Sequence, residues 1–278
     1  MGVPSSATPL RERARMAIVD LIPKGLGQIY SQTRTALSLG WKDSGRLHEA
    51  TNSRPGDLLK FEIPGFPYPV FVRSGSTDAE TFEECLIRQY YGHIKPNRPV
   101  KFIIDAGANA GYSGVFFLRQ YPEATVVALE PDSENYALAL RNLEPYGERC
   151  RVLSQAIWPT KTRLLIERSN RHDSTRVSES DVDGEFCTSV DPMTILEMFH
   201  QERIDIFKCD IEGAEEHLFS DNSDAWLERT DNVMMEIHGG TAHKIVYDAI
   251  RRHGFAAEFN HDLHFFTRRD SSGRKLEV

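Results

Sequence analysis

A glycine-rich turn in the middle of the chain has the composition of a ligand-binding loop. The letters DAGANAG occupy residues 105–111, directly after the apolar run VKFII. Gly107 and Gly111 permit a tight turn and a close backbone approach, and the helix that follows would offer free N–H groups. The spacing is not GxGxxG, and Asp105 places an acid where a phosphate-binding loop would prefer none. The turn therefore suits a ligand with a positively charged amine better than a pyrophosphate.

Acidic and polar residues also end the next two apolar runs. Glu130 follows VVAL and lies 19 residues after Gly111, where a carboxylate can accept hydrogen bonds from two ribose hydroxyls. The third run, RVLSQAIW, places Ser154 and Gln155 where polar groups could read an adenine edge, while Ala156 leaves room for the ring. Together with the glycine turn, these residues predict a site for a ligand that carries an amine, a ribose and an adenine.

Candidates for proton transfer follow the fourth and fifth apolar runs. Asp210 and Glu212 come after Lys208, and Glu236 and His238 follow NVMM. His238 suits general-base chemistry, because an unperturbed histidine has a pKa of about 6.5. The same groups could instead hold a divalent cation that activates a hydroxyl, although one histidine beside acids is a loose metal signature. Two structural readings also stand, since Glu212 could cap a helix and Lys208 could pair with an acid.

The elements that must position these groups alternate along the chain from residue 99. Five apolar runs alternate with helical stretches such as SGVFFLRQY and SENYALALRNLEPYG, and we expect Ser133 to be the N-cap of the latter. This order predicts a parallel sheet with helices on both faces and ligands at the carboxyl ends of its strands. Residues 160–190 are polar with a hairpin around RLLIER, and FAAEFN with HFFTRR predicts a terminal hairpin.

The region before residue 99 has a different pattern. Residues 1–55 are polar and irregular apart from a helix around residues 11–22, so we expect an appendage or an arm there. Apolar residues alternate on either side of Pro64 and Gly65 within residues 58–75. That segment predicts two strands around a turn, followed by a helix in AETFEECLIRQYYGH.

The composition limits the partners of this chain. Its 278 residues include 33 Lys plus Arg and 41 Asp plus Glu, and the net charge of −8 argues against nucleic-acid binding, because phosphates require clustered basic residues. No apolar run approaches the ~20 residues that span a bilayer, and the N-terminus does not resemble a signal peptide. The four cysteines are scattered and indicate neither a zinc site nor disulfides, so we expect a cytoplasmic protein with reduced thiols.

Three motifs in a fixed order resemble the FkbM family of S-adenosylmethionine-dependent methyltransferases. They are DAGANAGYSGVFF, VVALEPD and IDIFKCDIEGAEEHLF, within a match that covers roughly residues 60–270. Cys209 departs from the pattern, since an aliphatic residue is expected there. The resemblance implies an α/β fold on residues 99–278, with a Rossmann-like seven-stranded methyltransferase sheet that is mostly parallel and has an antiparallel last strand. Residues 1–98 would form an N-terminal extension with a β-hairpin and helix cap.

The resemblance also implies a cofactor and a reaction. The cofactor would be S-adenosylmethionine, and the methyl group would usually go to a hydroxyl on a sugar or on a natural-product scaffold of polyketide or peptide type. Asp105 and the glycine loop would hold the methionine part, and Glu130 would hold the ribose. The predicted cofactor-binding residues are Asp105, Ala106, Gly107, Asn109, Gly111, Tyr112, Glu130, Pro131, Ser154, Gln155, Ala156 and Asp210. The predicted catalytic residues are Asp210, Glu212, Glu236 and His238, and a Mg²⁺ or Mn²⁺ ion is the less favoured option.

Two other functions compete with methyl transfer. One is a nucleotide-dependent oxidoreductase on a Rossmann sheet, but the glycine spacing and Asp105 argue against it. The other is a non-catalytic methyltransferase-like binding module, but the intact loop and Glu130 argue against it. The expected partner is a small-molecule acceptor, with a homodimer left open and with neither nucleic acid nor a membrane expected. Basic residues of the polar stretch would help to select the acceptor: Arg163, Arg168, Arg171, His172 and Arg176.

Overall fold

The structure is a computed structural model, which describes residues 27–54, 56–168, 175–180, 182–220, 222–260 and 262–269. Its helices are α1 (Gly27–Leu39), α2 (Trp41–Asn52), α3 (Asp78–Phe82), α4 (Tyr112–Gln120), α5 (Ser133–Leu143), α6 (Pro192–Met198), α7 (Glu215–Ser220), α8 (Ser223–Leu227) and α9 (Gly240–Arg252). Its strands are β1 (Leu58–Phe61), β2 (Val70–Arg73), β3 (Phe102–Ala106), β4 (Thr125–Leu129), β5 (Cys150–Leu153), β6 (Gln155–Ile157), β7 (Arg163–Arg168), β8 (Thr175–Ser178), β9 (Phe186–Val190), β10 (Ile206–Cys209), β11 (Asn232–Met235), β12 (Phe255–Asn260) and β13 (Leu263–Arg268). Among these described residues, no helix is both long and apolar enough to cross a lipid bilayer.

Seven strands form the central sheet, in the order β12-β13-β11-β10-β3-β4-β5. The five strands β11, β10, β3, β4 and β5 run parallel, whereas β13 is antiparallel to both of its neighbours. The last strand therefore lies inside the sheet, between β11 and β12. This arrangement confirms the predicted fold class, and it brings the carboxyl ends of five parallel strands to one edge.

Two apolar layers cover the faces of this sheet, because successive side chains of a strand point to opposite faces. On one face, Ile103 of β3 belongs to a layer with Val115 and Phe116 of α4 and with Phe61 and Phe82 of the N-terminal region. The layer on the other face includes Phe102, Ile104, Phe207, Cys209, Trp226 and Val246. A fully buried phenylalanine contributes about 1.5–3 kcal/mol. The N-terminal elements are therefore part of what holds the sheet together.

The first described part of the region before the sheet, residues 27–52, is helical. The helices α1 and α2 occupy most of residues 27–52, and α2 buries Leu47 and Ala50 in the layer that contains Phe61. The expectation of an irregular arm is wrong for this part, because these polar helices show only a narrow apolar face in the sequence. The helix expected around residues 11–22 lies outside the described residues. The β1–β2 hairpin is confirmed, and the domain boundary at residue 98 stays a prediction.

The third apolar run is divided between two sheets. Strand β5 ends at Leu153 in the central sheet, whereas β6 begins at Gln155 and pairs with β9 in a second sheet, ordered β6-β9-β7-β8. A single strand over RVLSQAIW is therefore wrong, since the apolar pattern continues through both strands and hides the turn at Ser154. The predicted hairpin in the polar stretch is confirmed as β7 and β8. The sequence did not reveal β9.

The N-cap of α5 is Asp132 rather than Ser133. Its carboxylate accepts hydrogen bonds from the backbone N–H groups of Glu134 and Asn135, both at 2.9 Å. A cap of this kind is worth about 1 kcal/mol. The guanidinium of Arg168 in β7 pairs with the same carboxylate. The second sheet is thereby attached to the start of α5, two residues from Glu130.

Candidate active site

A cavity of about 220 Å³ lies at the carboxyl ends of the parallel strands. Its walls are the loop after β3, the end of β4, the strand β6, the turn after β10 and the residue that follows β11. Val177 of β8 lines it from the second sheet. The cavity contacts nine of the predicted site residues: Gly107, Asn109, Glu130, Pro131, Gln155, Ala156, Asp210, Glu212 and Glu236. We therefore treat it as the candidate active site.

The glycine loop approaches the turn after β10 without space for a side chain. Gly107 has a φ of +74°, and a Cβ atom there would lie 1.7 Å from the backbone oxygen of Asp210. The N–H groups of Gly107 and Ala108 donate to the carbonyl of Leu129 at 3.0 and 2.9 Å. These contacts fix the loop against the ends of two neighbouring strands. Only glycine combines this conformation with such a close approach.

A buried ion pair supports the loop from below. Asp105 is fully buried, its Oδ2 accepts a hydrogen bond from Ser113 Oγ at 2.6 Å, and its Oδ1 lies 3.4 Å from Lys208 Nζ. Lys208 Nζ also donates to the carbonyl of Gly107 at 2.6 Å. Burial alone would lower the pKa of Lys208, but the charges of Asp105 and Asp210 outweigh it and raise that pKa. Lys208 therefore stays protonated and holds the loop through its backbone.

Glu130 is the buried carboxylate at the end of β4. Its Oε2 accepts a hydrogen bond from the N–H of Asn109 at 2.8 Å, and its Oε1 accepts one from the N–H of Asp132 at 2.9 Å. Burial raises the pKa of Glu130 to about 7, despite these two backbone donors, which lower it. The carboxylate lines the cavity and is held in one orientation, as a hydroxyl-binding group requires.

Six predicted residues do not line the cavity: Asp105, Ala106, Gly111, Tyr112, Ser154 and His238. Gly111 faces α5, where an added Cβ would lie 3.1 Å from Ala139 Cα. Tyr112 is buried in the core, and its hydroxyl donates to the carbonyl of Phe71 at 3.0 Å. Both residues contact the elements behind the loop. Ser154 is exposed at the turn between the two sheets.

Three carboxylates form the side of the cavity nearest β10 and β11. Asp210 follows β10, Glu212 lies two residues further, and Glu236 follows β11. Among the described residues, Asp210 Oδ1 is buried and has no hydrogen-bond partner. Burial, and then the charge of Asp210, raise the pKa of Glu236 to about 7. The same two causes raise the pKa of Glu212.

His238 stands behind these carboxylates. Its Nδ1 lies 2.8 Å from Oε1 of the buried Glu215, and its Nε2 lies 3.6 Å from Glu212 and 3.7 Å from Glu236. The hydrogen bond to Glu215 raises the pKa of His238 to about 9, although burial opposes the shift. At neutral pH the imidazole therefore carries a proton on both nitrogens.

A metal ion is one candidate for the space between these groups. Asp210, Glu236 and His238 each offer a ligand atom, and the three atoms lie within 4.8 Å of one another. A cation there would have to displace a proton from His238, because a ligating nitrogen needs its free lone pair. Spacing alone therefore does not assign a metal here, and metal independence stays a prediction.

The N-terminal region supplies a wall that the sequence reasoning missed. Thr81, Glu84, Cys85, Tyr90 and Tyr91 all line the cavity. They belong to α3 and the two short helical turns Glu83–Ile87 and Tyr90–His93. Burial raises the pKa of the Cys85 thiol, so it is not a thiolate nucleophile. In the sequence, these residues appear only as a mixture of polar and aromatic side chains in one helical stretch. That pattern does not predict where the stretch lies relative to the sheet.

The cavity residues fit the cofactor that the motif resemblance implies. Gly107 lines the cavity with backbone atoms, and Glu130 presents acceptors for ribose hydroxyls. Among the described residues that line the cavity, two have a buried side-chain oxygen without a hydrogen-bond partner, Asn109 Oδ1 and Asp210 Oδ1. Gln155 and Ala156 lie where an adenine would need a polar edge and open space. A ligand with hydroxyl and ammonium donors would satisfy these atoms.

Comparison with known proteins identifies the family of this chain. Residues 105–257 match the family described as the methyltransferase FkbM domain. Methyltransferase 1 of Beauveria bassiana is 23% identical over 178 residues, which are 56% of this chain and 71% of the relative. Methyltransferase sdnD of Sordaria araneosa is 25% identical over 175 residues, which are 51% of this chain and 67% of the relative. The solved precorrin-6y C5,15-methyltransferase of Geobacter metallireducens is 13% identical, with a TM-score of 0.38 over 62% of this chain and 81% of that one. This chain belongs to the FkbM methyltransferase family.

Proposed function

We propose that this methyltransferase methylates a hydroxyl group of a small molecule, on a sugar or on a polyketide or peptide natural product. Its cofactor is S-adenosylmethionine. The cofactor supplies a methyl group already activated on a sulfonium, so the chain must bind it, align the acceptor and remove the hydroxyl proton.

Binding of the cofactor is assigned to the loop and to the ends of β4 and β6. Gly107 gives the methionine part access to the backbone, Glu130 accepts the ribose hydroxyls, and Gln155 with Ala156 borders the adenine. Asp105 supports the loop through Lys208 rather than from the cavity wall. In this proposal it is a positioning residue.

The observation that carries the hydroxyl assignment is the position of Glu236. It lines the cavity after β11, beside Asp210, and its pKa is raised to about 7 by burial and by that neighbour. A carboxylate with a pKa near the operating pH is an efficient general base. His238 is the weaker candidate, because it does not line the cavity and its pKa of about 9 leaves it protonated.

The lining also supports a small-molecule acceptor over a nucleic acid. Among the described lining residues, Lys208 is the only lysine, no arginine is present, and Lys208 is ion-paired with Asp105. Phosphate backbones are bound by clustered basic side chains. The cytoplasmic location and the homodimer remain proposals beside this one.

The test is a screen with S-adenosylmethionine that carries a labelled methyl group. Separate reactions would contain sugars, nucleotide sugars, polyketide alcohols, hydroxylated peptides, amines and total RNA. We expect label on a hydroxyl oxygen, located in the product by mass spectrometry and NMR. Glu236→Gln should lower kcat by about 10²–10⁴-fold with unchanged affinity for S-adenosylhomocysteine. Label confined to amines or to RNA would overturn the proposal.

A further inference from the structure

Glu215 is a fully buried carboxylate for which methyl transfer itself gives no role. It lies in the first turn of α7 and does not line the cavity. Its Oε1 accepts a hydrogen bond from the N–H of Gly213 at 3.2 Å and faces His238 Nδ1 at 2.8 Å. A buried carboxylate is costly unless it is paired with an opposite charge. The partner of Glu215 is His238.

The imidazole of His238 connects this buried group to the cavity wall. One nitrogen faces Glu215, and the other lies 3.6 Å from Glu212 and 3.7 Å from Glu236. The latter two carboxylates line the cavity, whereas Glu215 and His238 do not. An imidazole with donors on both nitrogens can attract carboxylates on its two sides at once.

We propose that Glu215 and His238 form a positioning pair, in which the hydrogen bond to Glu215 fixes the imidazole and its charge attracts Glu236 across 3.7 Å, holding that carboxylate on the acceptor side of the cavity. The pair acts through Glu236 and does not itself contact the acceptor. Its effect on turnover rests on the proposed function, in which Glu236 accepts the hydroxyl proton. The geometry of the pair does not depend on that function.

The charges around the pair decide where the proton resides. Four acids contribute: Asp210 and Glu212 from the turn after β10, Glu236 after β11, and Glu84 from the N-terminal wall, which acts on Glu236. Lys208 of β10 lowers the pKa of Glu236, and Arg176 of β8 lowers that of Glu212. Loss of the charge on Glu215 would let His238 lose its proton. Glu236 would then lose its nearest cation, and its own pKa would rise further.

The first test is NMR spectroscopy of protein with ¹⁵N-labelled histidine, with the His238 signals identified from their loss in His238→Gln. At neutral pH we expect both ring nitrogens to be protonated in the unmodified protein and the ring to be neutral in Glu215→Gln. The matched control is Asp224→Asn, which breaks the exposed pair between Asp224 and His253 and should leave His238 unchanged. A neutral His238 ring in the unmodified protein would overturn the proposal, whether or not Glu215→Gln folds.

The second test uses the hydroxyl acceptor found in the labelled screen. In Glu215→Gln, the pH at which kcat reaches half of its maximum should rise by about one unit, with affinity for S-adenosylhomocysteine retained. A merely structural role of Glu215 would lower thermal stability and leave that pH unchanged, which would also overturn the proposal. If the screen yields no hydroxyl acceptor, the proposed function fails, while the NMR result still decides whether the pair exists.

Discussion

The backbone oxygen of Asp210 lies 1.7 Å from the point that a Cβ atom would occupy on Gly107. The glycine loop and the turn that carries a predicted catalytic acid are therefore packed backbone against backbone. Lys208 reinforces the contact, because its ammonium donates to the carbonyl of Gly107 and lies 3.9 Å from Asp210 Oδ2. The two halves of the active site cannot move independently at this point.

Gly107→Ala should disrupt cofactor binding by separating these two segments. The new methyl group must displace the backbone of Asp210, and the φ of +74° is unfavourable for alanine. We expect a loss of about 1–3 kcal/mol in stability and at least a tenfold loss of affinity for S-adenosylhomocysteine. Calorimetry and thermal denaturation measure both. Gly240→Ala is the matched control, because no atom lies within 4 Å of its added Cβ, and equal behaviour of the two variants would contradict the packing argument.

Gly111→Val should act on helix packing rather than on the ligand. A Cβ atom there would lie 3.1 Å from Ala139 Cα and 3.1 Å from Leu143 Cδ1, both in α5. Because φ is +84° and valine is β-branched, we expect a loss of stability of about 2–4 kcal/mol. Urea denaturation measures it. Cofactor affinity should fall only to the extent that the loop is displaced. A variant that is as stable as the unmodified protein but does not bind the cofactor would show that Gly111 contacts the ligand.

Cofactor affinity should increase with pH as Glu130 loses its proton. Its pKa is raised from 4.5 to about 7, and only the carboxylate can accept two ribose hydroxyls through both oxygens. Below pH 7, binding must release that proton, so affinity should rise by up to about tenfold per pH unit and level off above it. Calorimetry with S-adenosylhomocysteine at a series of pH values checks this. In Glu130→Gln, affinity at high pH should fall by about 10–100-fold and its pH dependence should disappear.

Glu130 should make the cofactor-free protein less stable as the pH rises, whereas it increases cofactor affinity. A raised pKa means that the folded state keeps a proton that the unfolded state has lost. The stability contributed by Glu130 is fully present below pH 4.5 and is lost as pH rises through about 7. Thermal denaturation without ligand should therefore show a decline over that range that Glu130→Gln lacks. An identical decline in both proteins would mean that another group is responsible.

The residues at the ends of the parallel strands were predictable because sequence position determines them. Glu130, Asp210 and Glu236 each follow an apolar run directly, and parallel strands end at one edge. The roles of Asp105 and Gly111 were harder to predict from the sequence. Both belong to the loop motif, yet their side-chain positions depend on Lys208 and on α5, which are distant in sequence. A motif gives the loop but not which of its members face the ligand.

The rest of the site depends on contacts that no local pattern encodes. Glu84 and Tyr91 line the cavity because α3 and its following turns pack on the same face of the sheet as α4. In the sequence, Glu215 is an acid at the start of a helix, and only the structure shows its contact with His238. That contact also changes the chemistry of His238, since an unperturbed histidine would be neutral at pH 7 and available as a base. The sequence suggested the group but not its protonation state.

The last prediction concerns metal removal. Asp210, Glu236 and His238 have the spacing of a cation site, but His238 Nδ1 faces Glu215 and its Nε2 carries a proton at neutral pH. A divalent cation would have to displace that proton and compete with the attraction between the imidazolium and two carboxylates. We therefore expect turnover and cofactor affinity to survive EDTA treatment followed by gel filtration, with less than about a twofold effect of added Mg²⁺ or Mn²⁺. Electron paramagnetic resonance of Mn²⁺ tests binding directly and needs no acceptor. Activity lost with EDTA and restored by Mn²⁺, together with Mn²⁺ binding that His238→Gln abolishes, would show that these residues form a metal centre and that Glu215 orients a metal ligand instead.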